Sequence, residues 1–149
     1  MRICTWNVNG IRAREAQVRQ LVDQERPEVL CFQEIKASAD QVPASLAALD
    51  GYWSLFHGAG PYSGVALLVR RDIAASRPAF VHPDFDEERR VVVAEVAGTV
   101  VASVYVPNGG KDFAAKVRFL EALDRWAAEA GGSDRPLLVC GDLNVTRED

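Results

Sequence analysis

Five residues able to bind a metal ion or a phosphate stand at the ends of four apolar segments. They are Asn7 after RICTW, Glu34 after VLCFQ, Tyr105 after VVASV, and Asp142 and Asn144 after LLVCG. In layered α/β proteins, ligands bind where strands end and loops expose side chains held by a rigid sheet. If the four ends meet, two carboxylates, two amides and a phenol share one site. Such an oxygen-rich set suits Mg²⁺ or Mn²⁺ better than zinc.

Each of these residues also has an ordinary structural interpretation. Asn7 and Asn144 are typical turn residues, since turns begin where strands end. Glu34 alone would usually be a solvated carboxylate, and Tyr105 a boundary tyrosine with its hydroxyl in water. Because all the segments end in the same way, the sequence favours a divalent-metal site over coincidence.

Hydrophobic patterning indicates the elements that would position these side chains. It predicts strands over residues 2–6, 29–33, 52–56, 64–69, 90–96, 100–106 and 136–140, with helices over 13–25 and 41–49. A third helix begins after Asp112 as N-cap and ends at Gly131-Gly132. Alternating elements at both ends and a strand-rich middle predict an α/β sandwich, with sheets inside and helices outside. A doubly wound nucleotide-binding fold is the alternative, weakened because Asn9-Gly10-Ile11 supplies no G-x-G-x-x-G after the first strand.

Composition narrows the class of protein. The 149 residues are 48% hydrophobic and 26% charged, which is ordinary for a globular protein. No apolar run reaches the roughly 18 residues that a membrane span needs, and the start MRICTWNVNG is not a signal peptide. We therefore expect a cytoplasmic protein with no membrane partner. The net charge of −4 argues against coating nucleic acid by bulk positive charge, so a phosphate-bearing substrate would be received by a few placed side chains.

The three cysteines give no indication of disulfide bonds or of a zinc site. Cys4, Cys31 and Cys140 each lie in an apolar, strand-like segment, and none belongs to a C-x-x-C pair. This distribution predicts buried, reduced thiols rather than disulfides or a zinc site.

Five short blocks carry a family resemblance. In order, they are WNVNGIR from Trp6, QEIK from Gln33, YSGVALL from Tyr62, YVPNGG from Tyr105 and GDLNV from Gly141. Together they resemble the exodeoxyribonuclease III family of bacterial abasic-site endonucleases, within the endonuclease/exonuclease/phosphatase superfamily. The resemblance implies a four-layer α-β-β-α sandwich of the DNase I-like type and a Mg²⁺ cofactor, with Mn²⁺ as an alternative. It also implies a partner, double-stranded DNA with abasic sites or damaged 3′ ends, and a monomer at full length.

The resemblance implies a role for each candidate site residue. Glu34 matches the metal-binding glutamate, and Asn7 the asparagine that arranges the metal and phosphate site. Tyr105 matches the catalytic tyrosine beside the scissile phosphate. Asp142 matches the aspartate that moves a proton from the attacking water, and Asn144 the asparagine that steadies the phosphate. Asn7, Asp142 and Asn144 are also candidate metal ligands.

Contacts with DNA are implied at the edge of this site. Arg90 and Asn108 fall where the family contacts the DNA backbone. Arg89 departs from the family, which commonly has glycine at this position, and places a second charge beside Arg90.

The resemblance also implies a longer chain. The family carries an Asp-His pair close to its C-terminus, and neither His57 nor His82 lies in a block that matches it. We therefore expect residues 1–149 to be the N-terminal part of one endonuclease/exonuclease/phosphatase domain, with the C-terminal part absent, and to be inactive alone. Two alternatives remain: a catalytically inactive fragment that acts only through binding, and a superfamily phosphodiesterase or phosphatase with a non-DNA substrate.

Overall fold

Two β-sheets lie face to face at the centre of the protein. The structure is a computed structural model that describes residues 1–132 and 134–145. The strands are β1 (Ile3–Asn7), β2 (Val29–Gln33), β3 (Tyr52–His57), β4 (Val65–Arg70), β5 (Val91–Val96), β6 (Thr99–Tyr105) and β7 (Leu137–Asp142). The α-helices are α1 (Glu15–Glu25), α2 (Ala44–Ala47) and α3 (Phe113–Ala130).

The first sheet has the strand order β1-β2-β4-β3. Strands β1 and β2 are parallel, and α1 forms the connection between them. Their register pairs Asn7 with Gln33, so both strands end at the same edge of the sheet. Strand β4 then pairs antiparallel with both β2 and β3.

The second sheet has the order β5-β6-β7. Strands β5 and β6 form a hairpin across Ala97 and Gly98, whose φ angles of 49° and 78° identify a type I′ turn. Helix α3 connects β6 to β7, which run parallel and pair Tyr105 with Asp142. The chain thus repeats one arrangement twice: two parallel strands, joined by a helix, that end together.

Three apolar clusters separate four layers. The first lies between the outer face of the first sheet and α1 with α2, and includes Val18, Phe32 and Leu46. The second fills the space between the two sheets, and the third packs α3 on the second sheet through Leu123. The predicted α-β-β-α sandwich is therefore confirmed. No helix among the described residues is long and apolar enough to cross a membrane.

Strand β2 is buried on both of its faces. Leu30 and Phe32 contact the helical layer, whereas Val29 and Cys31 face the second sheet. Gln33 is the last residue of the strand, and its Nε2 donates to Ser103 Oγ on β6 at 3.1 Å. This buried hydrogen bond joins the two sheets beside the strand ends, where an unpaired amide would cost about 1–3 kcal/mol.

The helix predicted over residues 41–49 is present but much shorter than predicted. Residues Ala39–Gln41 form a 3₁₀ turn with Ser38 and Gln41 as a capping box, and α2 then spans only Ala44–Ala47. Proline cannot donate a backbone hydrogen bond and drives the preceding residue into an extended conformation. Val42 has that conformation (φ −68°, ψ 133°), so Pro43 divides the segment into two short turns.

Other predicted boundaries move by one or two residues. Helix α1 begins at Glu15 after a 3₁₀ turn over Ile11–Arg14, and ends at Glu25, before Arg26 with its left-handed φ of 45°. Strand β7 continues through Gly141 to Asp142, so Asp142 lies inside the sheet. Helix α3 agrees with the prediction, since the side chain of Asp112 accepts the amide of Ala115 at 2.8 Å.

Gly141 brings β7 close to β6. It has a φ of 148°, and a Cβ atom built there would lie 1.9 Å from the carbonyl oxygen of Val104. Only glycine allows this approach, because the clash is with backbone that cannot move aside. The close contact places Asp142 beside Tyr105.

We predict that Gly141→Ala destabilises the fold. Steric overlap and backbone strain together should lower the free energy of unfolding by roughly 2–5 kcal/mol. Urea denaturation followed by circular dichroism would measure the change. Gly132→Ala is the matched control, because nothing lies within 4 Å of a Cβ there. Equal midpoints for the two variants would contradict the prediction.

Candidate active site

The predicted strand ends meet at one edge of the sandwich. Asn7, Tyr105 and Asp142 are the last residues of β1, β6 and β7, and Glu34 directly follows β2. Asn7 and Glu34 come from the first sheet, whereas Tyr105 and Asp142 come from the second. The site therefore forms only when the sheets face each other with their parallel pairs aligned.

The amide of Asn7 joins the two carboxylates. Its Nδ2 donates to Glu34 Oε1 at 2.8 Å and to Asp142 Oδ2 at 2.9 Å. Its Oδ1 accepts the backbone N–H of Asn9 at 3.1 Å, which fixes the orientation of the amide. Asn7 thus presents N–H groups, rather than its oxygen, to the carboxylates. In this arrangement it positions the two acids.

Glu34 is held in an uncommon backbone conformation. Its φ is 51° and that of Lys36 is 48°, in a region that costs a non-glycine residue roughly 1–3 kcal/mol. Backbone hydrogen bonds fix the segment on both sides: Gly10 N donates to Glu34 O at 2.8 Å, and Lys36 N donates to Ser63 O at 3.0 Å. This segment aims the Glu34 carboxylate at the centre of the site.

Lys36 is a site residue that the sequence analysis missed. Its Nζ lies 2.9 Å from Glu34 Oε2 and donates to Asn9 Oδ1 at 2.5 Å. The QEIK block contains this lysine, but only the left-handed backbone at both positions turns its side chain back onto the glutamate. The lysine places one positive charge beside the Glu34 carboxylate.

Hydrogen bonds keep Glu34 ionised and Tyr105 protonated. Partial burial acts to raise the pKa of Glu34, but hydrogen bonds from Asn7, Lys36 and Tyr105 outweigh it and lower this pKa below the usual value. Burial, together with the hydrogen bond to Glu34, raises the pKa of Tyr105 to about 12. At neutral pH the phenol is therefore a hydrogen-bond donor beside an anionic carboxylate.

Asn144 lies next to this cluster but contacts it through its backbone. Its N–H donates to Asp142 Oδ1 at 3.0 Å, while its side-chain Nδ2 donates to Val106 O at 2.7 Å. The ammonium of Lys116 on α3 donates to the carbonyl oxygen of Asn144. These bonds fix a left-handed residue (φ 50°) and one oxygen of Asp142.

The two predicted DNA-contact residues differ in their surroundings. The guanidinium of Arg90 lies 4.9 Å from the ring centroid of Tyr105, and its Nη2 pairs with Glu88 at 3.1 Å. Its Nε is the one buried side-chain polar atom in the described part of the chain without a hydrogen-bond partner. Asn108 is exposed, and its Oδ1 accepts the amide of Gly110 at 3.0 Å. The structure thus packs Arg90 against Tyr105 and leaves Asn108 on the surface.

The donor set fits a hard divalent cation. Glu34 and Asp142 supply two carboxylates that share the Asn7 amide. Among the described residues, no sulfur or imidazole ligand belongs to this cluster. Mg²⁺ is usually bound through one or two carboxylates and water. Glu34 and Asp142 are therefore the residues that could hold such an ion, with Asn7 orienting both.

The fold and the site together define a class of protein: layered α/β phosphoesterase-like proteins with an acidic site at the strand ends. Comparison with known proteins then identifies the family. Residues 4–149 match the model of the endonuclease/exonuclease/phosphatase family. The chain belongs to this family, and the predicted resemblance to exodeoxyribonuclease III is confirmed.

Three relatives illustrate the similarity. Exodeoxyribonuclease III of Haemophilus influenzae is 28% identical over all of this chain. Among solved structures, a 3′ phosphatase from Neisseria bound to product DNA hairpin is 32% identical over 100% of the chain, with a TM-score of 0.86. An AP endonuclease from Archaeoglobus fulgidus is 28% identical over 99%, also with a TM-score of 0.86. The chain spans 59%, 60% and 59% of the length of these three proteins, respectively.

The cysteines are free thiols, but only one of them is fully buried. Cys31 is buried, whereas Cys4 and Cys140 are partly exposed, which corrects the expectation of three buried thiols. The hydrogen bond between Cys31 and Cys140, followed by burial, raises the pKa of Cys31 well above its usual value. The same hydrogen bond lowers the pKa of Cys140 to about 7. Cys140 is therefore the thiol with thiolate character, two residues before Asp142.

We predict that Cys140 reacts with iodoacetamide with a midpoint near pH 7. In Cys31→Ala the thiolate loses its hydrogen-bond donor, so the midpoint should rise toward or above the usual cysteine value of about 8.5. Peptide mass spectrometry of Cys140 alkylation across a pH series would measure both midpoints. Cys4→Ala is the control and should leave the midpoint unchanged. An unchanged midpoint in Cys31→Ala would contradict the assigned hydrogen bond.

Proposed function

We propose that the protein acts as a Mg²⁺-dependent phosphodiesterase of DNA repair. It would cleave 5′ to abasic sites and remove nucleotides or blocking groups from the 3′ ends of duplex DNA. The observation that supports this most directly is the Asn7 amide, which holds Glu34 and Asp142 together at the ends of facing sheets. Phosphodiester hydrolysis is assisted by carboxylates that can hold a cation and, in the case of Asp142, also accept a proton from water.

The relatives favour DNA as the substrate class. The solved Neisseria relative is a 3′ phosphatase with product DNA hairpin bound, and the Archaeoglobus relative is an AP endonuclease. The net charge of −4 indicates that the duplex would be held by local groups rather than by a broad basic surface. Arg90 and Asn108 remain the proposed contacts with the DNA backbone.

Asp142 is the residue placed to move the proton. In the proposed step, the water oxygen bonds to phosphorus and one water proton passes to an Asp142 oxygen, while the phosphorus–O3′ bond breaks. The leaving O3′ takes a proton from solvent to become a hydroxyl, and Asp142 then releases its proton to solvent. The Asn7 and Asn144 N–H groups each hold one oxygen of that carboxylate, which sets its orientation. A base held at hydrogen-bond distance from water contributes about 10²–10⁴ in rate.

Tyr105, Lys36 and Asn144 supply fixed polar groups around the phosphate. The phenol stays protonated at neutral pH and can donate to a phosphoryl oxygen. The Lys36 ammonium lies beside Glu34 and adds positive charge where negative charge develops. Mg²⁺ held by Glu34 and Asp142, with Asn144 as a further candidate ligand, would supply charge neutralisation at the phosphate when bound.

We predict that, in the whole protein, Glu34→Gln and Asp142→Asn abolish most of the incision of a synthetic abasic duplex. Each should lower the rate about 10²–10⁴-fold, because each removes an acid without changing its shape. Glu95→Gln and Asp124→Asn are matched controls at exposed positions and should retain activity. Gel analysis of an end-labelled duplex, with circular dichroism of each variant, measures cleavage and folding separately.

Other outcomes would select between the alternatives. If the whole wild-type protein binds the duplex without cutting it, the catalytic proposal is wrong and a binding role is favoured. If it hydrolyses a phosphoinositide or RNA faster than abasic DNA, the substrate assignment is wrong while the site assignment stands.

We also predict that the activity requires an added hard cation. Removal of divalent ions with EDTA should eliminate incision, and Mg²⁺ or Mn²⁺ should restore it, since two carboxylates and amides prefer such ions. The same titration on Glu34→Gln should need a higher Mg²⁺ concentration. Full activity in EDTA would contradict the proposed cofactor.

A further inference from the structure

A second cluster of potential metal ligands lies outside the acidic site. His57 is the last residue of β3, and His82 and Asp86 belong to the connection between β4 and β5. One ligand atom from each of the three residues lies within 4.8 Å of the other two. The two imidazole rings stack, with centroids 4.7 Å apart and planes inclined by 17°.

The Asp86 carboxylate is the centre of this cluster. Its side chain is fully buried, and its Oδ2 lies 2.7 Å from His57 Nε2 and 4.0 Å from His82 Nδ1. Ligand atoms around a tetrahedral zinc ion, with bonds near 2.0–2.1 Å, stand roughly 3.3 Å apart. The observed pair of distances brackets that value. A shift of the carboxylate oxygen away from His57 and toward His82, by less than about 1 Å, would make both oxygen–nitrogen distances suitable. The two histidine nitrogens, which lie within 4.8 Å of each other, would approach to the same spacing as the ion binds.

The segment that carries these ligands is fixed to the rest of the fold. Val81 exchanges two backbone hydrogen bonds with Val93 on β5, at 2.9 and 2.7 Å, directly before His82. Arg89 has a left-handed φ of 57°, and its Nη1 donates to the carbonyl oxygen of Gly58, which follows His57. These contacts hold the His82–Asp86 segment against the end of β3 before any ion binds.

We propose that His57, His82 and Asp86 bind one transition-metal ion of borderline softness, represented by Zn²⁺. Two imidazoles and one carboxylate, with water in the remaining position, are a common ligand set for zinc and related ions. Mg²⁺ prefers oxygen ligands throughout, so this site and the Glu34–Asp142 site would select different metals. His82, with 54% of its side chain exposed, leaves the site open to solvent.

The proposed ion would hold the His82–Asp86 segment against the end of β3, outside the acidic site. The second carboxylate oxygen, Asp86 Oδ1, accepts the backbone N–H of Arg90 at 2.6 Å. Arg90 O in turn accepts the amide of Tyr105 at 2.8 Å. Metal binding at Asp86 would thus act on the backbone that carries Arg90, the residue packed against Tyr105.

The chain's two histidines make a direct test available. Zn²⁺ is titrated into the protein in the presence of excess Mg²⁺, and the imidazole carbon-bound protons are followed by NMR. We expect both histidine signals to shift together and to reach a limit at one equivalent. In His82→Ala the affinity for Zn²⁺, measured by calorimetry, should fall at least about tenfold. Asp86→Asn keeps an oxygen for the Arg90 N–H and should weaken binding similarly.

Two controls separate this site from other places where zinc could bind. Asp84→Ala removes an exposed carboxylate from the same segment and should bind Zn²⁺ as the wild type does. Glu34→Gln should also bind normally, since Glu34 belongs to the acidic site. The proposal is overturned if neither histidine signal responds to Zn²⁺. It is equally overturned if His82→Ala retains wild-type affinity, because the zinc would then lie at cysteines or acids elsewhere.

Discussion

The amide of Asn7 is the contact on which the candidate active site depends. Its two N–H bonds reach one carboxylate from each sheet, so it can form only if the sheets pack face to face in the correct alignment. The buried Gln33–Ser103 hydrogen bond also joins the two sheets, so it requires the same alignment inside the core. Apolar packing holds the sheets together, but these directional bonds fix which residues stand opposite each other.

Backbone strain is found in the loops around the site. Glu34, Lys36 and Asn144 all adopt left-handed conformations that are unfavourable for residues with a Cβ. Each lies next to a strand end whose backbone hydrogen bonds fix the neighbouring residues. The strain is thus concentrated at the site and supported by the regular sheets behind it, as expected where side chains must point in one direction for chemistry.

Much of the architecture could be predicted because its signals are local. The apolar segments, the Asp112 cap and the polar residues after each strand identify the layers and the edge where Asn7, Glu34, Tyr105 and Asp142 meet. The sequence could not reveal Lys36 as a partner of Glu34, since that contact depends on two unusual φ angles. Nor could it reveal the burial of Asp86, which lies in a connection with no repeating pattern and is enclosed by contacts distant in sequence.

A short series of contacts links the two candidate metal sites, the His57–His82–Asp86 cluster and the acidic site. The Asp86 carboxylate accepts the amide of Arg90, and the Arg90 carbonyl accepts the amide of Tyr105, whose phenol has its pKa raised by burial and by the neighbouring Glu34. The first two steps are directional hydrogen bonds, so the position of Asp86 helps to set the backbone that carries Tyr105. Arg90 contacts both sites, because its guanidinium packs against the Tyr105 ring while its backbone N–H is hydrogen-bonded to Asp86. Its burial makes it a structural link between the sites as well as a candidate contact with a phosphate.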